Sequence, residues 1–205
     1  VKGRTQKRRL RAASRLPTWL RVVSVLAVAG AVGLFLHDRP PAAVPQAHRR
    51  TAPSLPAVGG MAPDGTFTTI SGSTVSVASL RGEPTVLWFV TTWCPSCQVS
   101  TSALAQSLPI FRAHHVHLVE VELYDDLGTT GPSIGSFAAS YAGSAFPSPD
   151  WTWGVASLGL SERYDPQAYL DIYYLIDANG RVRFIDSTPV QTMPQLLDAL
   201  GSLGS

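Results

Sequence analysis

Residues 64–205 predict an α/β domain with a central mixed sheet flanked by helices. Strand-like and helix-like stretches alternate along the segment, one of them is a continuous apolar run of the buried-strand type, and roughly 140 residues suffice to close one core around it. Taken in order, "GTFTTISGSTVSVASLRG" predicts a hairpin leading into a short connection, and "TVLWFVTT" is the buried strand. "PSCQVSTSALAQSLPIF" has helical spacing at Val99, Ala103, Leu104 and Leu108, with Pro109 breaking or kinking it. "VHLVEVELYD" alternates as a strand does, and "GPSIGSFAASYAG" is helical in pattern. "IYYLIDANGRVRFID" reads as two strands around an Asn-Gly turn, and "TMPQLLDALGSLG" as a closing helix. The stretch "AFPSPDWTWGVASLGLSERYD" receives no element. Its Trp151 and Trp153 alternate about Thr152, with one expected to face inward and the other outward, and Asp125 and Asp126 read as solvated acids at a strand end.

The charge is unevenly spread. Eight of the sixteen basic residues (Lys2, Arg4, Lys7, Arg8, Arg9, Arg11, Arg15 and Arg21) precede the first acid, Asp38. From Asp64 onward five Arg face thirteen Asp and Glu, a formal charge of −8. Residues 1–18 form a basic segment expected on the cytoplasmic side, and residues 19–37 hold an apolar run from Val22 to Leu36. At ~1.5 Å per residue, Trp19 to Leu36 reaches about 27 Å, marginally enough for a hydrocarbon core of about 30 Å if Trp19 sits at the interface and Arg21 snorkels. A basic flank before a single span sends everything after it across the membrane. A cleavable signal ending near Ala47 is the alternative, and it also exports the domain. Residues 38–63, with six prolines, read as an extended Pro/Ala-rich spacer. The expected location is the cell membrane, single-pass, with the carboxy-terminal domain outside, where disulfides persist.

Cys94 and Cys97 are the only two cysteines of the chain. At a strand-to-helix junction Cys94 falls at the helix amino terminus, where unpaired N–H groups and the positive dipole end stabilise a thiolate. Cys97 follows one turn later, and Pro95 suits the first helical turn because its missing N–H costs nothing there. The expected result is one activated, exposed sulfur and one resolving sulfur, able to complete dithiol–disulfide exchange in two attacks. A structural zinc needs four ligands, and there is no second cysteine pair. His114, His115 and His117 read as a polar helix–strand connection, so no metal and no cofactor is expected. A purely structural bridge over three residues would remove little unfolded-state entropy.

"FTTISGSTVSVASLRGEPTVLWFVTTWCPSC" together with "YYLIDANGRV" resembles the thioredoxin superfamily, specifically the membrane-anchored thiol-disulfide oxidoreductases of the TlpA type, over about residues 64 to 200. The resemblance implies a thioredoxin-like fold, Cys94 as the attacking thiol, and Trp93, Pro95 and Ser96 flanking the site. The family's cis-proline loop, counted back from "YLIDANG", falls on Asp171 or Ile172, and Pro166 is the nearest proline. Positions where many relatives have a glutamate and a proline after the second cysteine hold Ser100 and Ser102. Trp88 stands where ordinary thioredoxins have a buried acid, so no proton acceptor for the resolving thiol is identified.

The function expected from this resemblance is electron exchange with cysteines of exported client proteins and with a membrane redox partner, without nucleic acid. Two alternatives remain open. A Sco-like copper-binding chaperone would share fold and anchor, but its cysteines are usually three residues apart and its histidine lies shortly before the "YLID" strand, whereas no histidine follows His117. A redox-inactive binding module would use the fold and leave the thiols idle.

Overall fold

A computed structural model describes residues 55–204 of the chain. The basic segment 1–18, the expected span 19–37 and the spacer up to residue 54 lie outside the described residues. Among the described residues no helix is long and apolar enough to cross a membrane.

Seven strands form one mixed sheet: β1 (Thr66–Thr69), β2 (Thr74–Ser76), β3 (Thr85–Val90), β4 (His117–Glu122), β5 (Trp151–Ala156), β6 (Ile172–Ile176) and β7 (Val182–Ser187). Their order is β2-β1-β5-β4-β3-β6-β7. The central β3 runs parallel to β4 and antiparallel to β6, and β4 runs parallel to β5. Parallel neighbours need crossovers, which helix α1 (Pro95–Ala113) and helix α2 (Ile134–Tyr141) supply. Helix α3 (Leu158–Tyr164) follows β5, and α4 (Pro189–Gly201) closes the chain.

Every residue of β3 is buried, as its unbroken apolar run predicts. Alternation along it feeds two cores. Val86, Trp88 and Val90 face the side covered by α1, α2 and α4, together with Leu104, Phe111, Phe137 and Leu196. Leu87 and Phe89 face the side covered by α3, with Phe67, Val119, Val121, Leu160 and Tyr164.

Several details differ from the pattern reading. Helix α1 continues through Pro109 to Ala113. Its buried stripe is Cys97, Ser100, Thr101, Leu104, Leu108 and Phe111, while Val99 is exposed. The stripe repeats at three and four residues as a helix face must; Pro109 is tolerated because it lies on the exposed side, where the carbonyl it strands can reach water. Strand β5 and helix α3 occupy the stretch that received no element. Trp151 and Trp153 both point into the α1 side, ring centroids 4.5 Å apart, because residues two apart on a strand share a face.

The Asn-Gly turn between β6 and β7 forms as expected: Asp177 Oδ1 accepts the N–H groups of Asn179 and Arg181, and Gly180 takes φ 81. The last residues of the segment read as spacer pair with this hairpin. Gly59 N donates to Val182 O at 2.7 Å and Ala62 N to Gly180 O at 2.8 Å.

Candidate active site

Strand β3 delivers the chain into Thr91–Trp93, and α1 begins at once. Cys94 is the N-cap, in extended conformation (φ −78, ψ 120), and Pro95 occupies the first turn. The Cys94 sulfur does what a capping oxygen normally does. It accepts the Cys97 N–H at 3.3 Å and lies 3.1 Å from Ser96 Oγ. The structure thus brings together Trp93, Cys94, Pro95, Ser96 and Cys97 as the sequence reading grouped them.

The thiols are free and sharply unlike. A hydrogen bond from the Cys97 side chain, reinforced by Ser96 and by backbone N–H groups, outweighs burial and draws the Cys94 thiol down to about 5. The Cys97 thiol is pushed far up, first by the hydrogen bond it gives to Cys94, then by burial, then by the negative charges of Asp171 and Cys94. At neutral pH this is one thiolate and one thiol held side by side.

The expected exposure of Cys94 is corrected: it is only 1% exposed, against 0% for Cys97. It belongs to the apolar cluster on the α1 side, with Trp93 and Leu170 packed against that cluster. Pro95 is exposed and Trp93 and Ser96 are half-buried, so the residues flanking the buried sulfur reach the surface.

Three acids outside the motif surround it. Asp126, expected to be solvated, is buried. Its carboxylate accepts Thr92 N at 2.8 Å and Thr92 Oγ1 at 2.6 Å, and its carbonyl accepts the Trp93 indole N–H at 2.9 Å. It reaches them from a loop in which Asp125, Asp126 and Leu127 all have left-handed φ (52, 49 and 58), a conformation that costs non-glycine residues about 1–2 kcal/mol each. Gly131 completes the fit, since a Cβ there would overlap Thr92 Oγ1 and Asp126 Oδ2.

Glu120 pairs across the sheet with Trp88 and is fully enclosed. Thr101 Oγ1 donates to it at 2.9 Å. Burial drives its carboxyl well above the usual carboxylate range.

Asp171 is the third. Of the two positions assigned to the loop facing the cysteines, Asp171 sits beside the thiols, whereas Ile172 opens β6 and packs on the opposite side of the sheet. Pro166 is exposed. The Asp171 carboxylate accepts the Trp88 indole N–H at 2.9 Å and a long bond of 3.4 Å from Ser100 Oγ. Its carbonyl accepts Thr188 N at 2.8 Å, which holds its backbone at φ 75. Burial raises its pKa to about 7; the Ser96, Trp88 and Ser100 side chains oppose the rise and the Cys94 charge adds to it.

The three histidines among the described residues are remote from the thiols. His114 and His115 follow the far end of the 19-residue α1, about 28 Å from its start. His117 opens β4 beside Thr85, at the opposite end of β3, and bonds Thr152 Oγ1 at 2.8 Å.

Residues 58–142 match the AhpC/TSA family. A 41-residue segment is 51% identical to the soluble secreted antigen MPT53 of Mycobacterium tuberculosis, covering 20% of this chain; the chain spans about a quarter (24%) of the length of that curated relative. Among solved structures, a thiol:disulfide interchange protein DsbE of Chlorobium tepidum is 25% identical with TM-score 0.56, covering 72% of this chain and 100% of that one. A secreted disulfide oxidoreductase of Mycobacterium tuberculosis is 26% identical with TM-score 0.51, covering 67% and 95%. A SCO1/SenC family lipoprotein of Bacillus anthracis, at 19% identity and TM-score 0.55 over 73% and 100%, shares the fold. The described residues therefore form a thioredoxin-like α/β domain similar to disulfide oxidoreductases.

Proposed function

We propose that the chain is an extracytoplasmic, membrane-tethered thiol-disulfide oxidoreductase of the TlpA type that exchanges electrons with cysteines of exported proteins through Cys94 and Cys97. The observation that carries this reading is the asymmetric pair itself, a Cys94 thiolate capped by the N–H of the residue that resolves it. Cys94 attacks a client disulfide, the client sulfur leaves, and Cys97 attacks the mixed disulfide to release the second client thiol. Because Cys94 lies under the surface, the client must displace the cover over the sulfur before attack. The basic head, apolar run and proline-rich spacer of residues 1–63 support export and tethering.

Among the described residues the copper-binding alternative finds no third ligand beside the thiols, since His114, His115 and His117 lie at the opposite end of α1 and β3. The protein is expected to show a reversible two-electron couple between about −270 and −120 mV, the range of known oxidoreductases. Its Cys97→Ser variant should accumulate mixed disulfides with exported proteins on non-reducing gels. A protein that forms no Cys94–Cys97 disulfide, and whose variant traps nothing, is not this enzyme.

A further inference from the structure

A thiolate and a thiol side by side solve the first attack and leave the second unsolved. To close on the mixed disulfide, Cys97 must lose its proton, and every influence recorded on it except one backbone contact holds that proton on. Something buried has to take it. Glu120 is fully enclosed, its carboxyl is raised by burial and bonded by Thr101 Oγ1 at 2.9 Å, and it is not among the charges that act on Cys97, whereas Asp171 is. The other titratable groups around the site are Asp126, whose carboxylate is engaged by Thr92 N and Thr92 Oγ1, Asp171, the two thiols and the phenol of Tyr173 on β6, which burial holds neutral.

We infer that Asp171 is the proton acceptor for Cys97 in the resolving step, and that formation of the mixed disulfide is what frees it to act. The inference rests on the exchange reaction proposed above. Asp171 has 0% exposure, is bonded by Trp88 and Ser100, and is within electrostatic reach of both sulfurs. Ser96, 3.1 Å from Cys94 Sγ, also stabilises the Asp171 carboxylate.

In the resting reduced protein burial, with the Cys94 negative charge adding to it, raises Asp171 to about 7. When Cys94 becomes part of a neutral disulfide, that charge disappears and Asp171 ionises more readily. The carboxylate then takes the Cys97 proton. Cys97 sulfur bonds to Cys94 sulfur, the Cys94–client bond breaks, and the client leaves as a thiolate that can recover a proton from Asp171. One disulfide forms as one breaks, so the protein dithiol is oxidised and the client disulfide reduced with no further reagent.

The test mixes the full-length reduced protein with 5,5′-dithiobis(2-nitrobenzoate) in a stopped-flow instrument. The first equivalent of thionitrobenzoate reports attack by Cys94, and the second reports closure by Cys97. This leaving group departs unprotonated, so only a base can assist the second phase. In Asp171→Asn the first phase should stay within about twofold, while the second slows about a hundredfold at pH 7, the low end for positioned bases, and then rises with hydroxide. An unchanged second phase with an unchanged pH profile overturns the inference. Absence of a fast first phase in the unsubstituted protein instead overturns the exchange reaction. If Asp171→Asn does not fold, the unsubstituted protein decides: its second phase must level off at or below about pH 7, and a rate that climbs steadily into the alkaline range excludes Asp171.

Discussion

The two faces of the sheet are buried to the same depth and filled with opposite chemistry. On the α3 side Phe89 stacks on Tyr164 at 5.2 Å, and Tyr174 meets Tyr164 edge-on at 5.0 Å. Both phenols donate to backbone carbonyls, Tyr164 to Pro63 O at 2.7 Å and Tyr174 to Tyr164 O. On the α1 side the apolar cluster encloses Cys94, Cys97, Glu120 and Asp171, and Trp153 Nε1 has no hydrogen-bond partner. One face is packed mainly for cohesion, with the buried acid Asp165 at the end of α3, its Oδ2 unpartnered, at the margin. The other retains buried ionisable groups whose desolvation opposes folding, which is where altered proton affinities, and hence chemistry, arise.

The largest expected effect breaks the cohesive face and spares the reactive one. Phe89→Ala removes a fully buried ring from the α3 side and should destabilise the protein by about 3–5 kcal/mol in urea unfolding. The molecules that remain folded should still show a Cys94 thiol titrating near 5, read by the pH dependence of alkylation. A shifted titration would mean that the two faces are coupled through the sheet.

The next effect runs the other way, with a substitution on the reactive face that stabilises. The pKa of Asp171 is raised from an ordinary 3.8 to about 7 by burial. Its contribution to stability is therefore full below about pH 4 and is lost as pH rises through 7. Asp171→Asn removes that loss. In the reduced protein the variant should match the unsubstituted one near pH 4 and exceed it by up to about 4 kcal/mol at pH 8. The lowered pKa of Cys94 has the opposite sign, contributing stability that is lost as pH falls through 5; only the part independent of its charge coupling to Asp171 cancels in the difference. A difference independent of pH would show that packing, and not charge, sets the cost.

What the sequence revealed of this contrast follows from the range of the interactions. Cys94 as a cap and Pro95 in the first turn are local, fixed by a strand-to-helix junction within four residues, and both were legible. The acids were not. Glu120 sits in "HLVEVE", where alternation reads as a solvated face, yet parallel pairing on both sides of β4 buries it. Asp126 is 34 residues from the Thr92 it holds, and Asp171 is 83 from the indole that holds it. Counting back from the β6 strand did place Asp171 at the site, but nothing local marks a lone aspartate as buried. Trp151 and Trp153 were misread for a simpler reason: two residues apart on a strand means the same face, and both rings joined the thiol side.

The smallest effect probes the seam that carries the thiol pair. Thr92→Val keeps the shape of the side chain and removes only the hydroxyl that Asp126 Oδ2 accepts at 2.6 Å, leaving that oxygen buried without its donor. The expected cost is about 1–3 kcal/mol, the usual penalty for an unsatisfied buried acceptor. Because the Asp126 carbonyl also holds the Trp93 indole at 2.9 Å, loosening this loop should free the residue next to Cys94. Alkylation of Cys94 at a pH well above 5, where its thiolate fraction is saturated, should then accelerate in proportion to exposure. If the rate stays fixed while stability falls, the cover over the sulfur is held by the α1 cluster and not by Asp126.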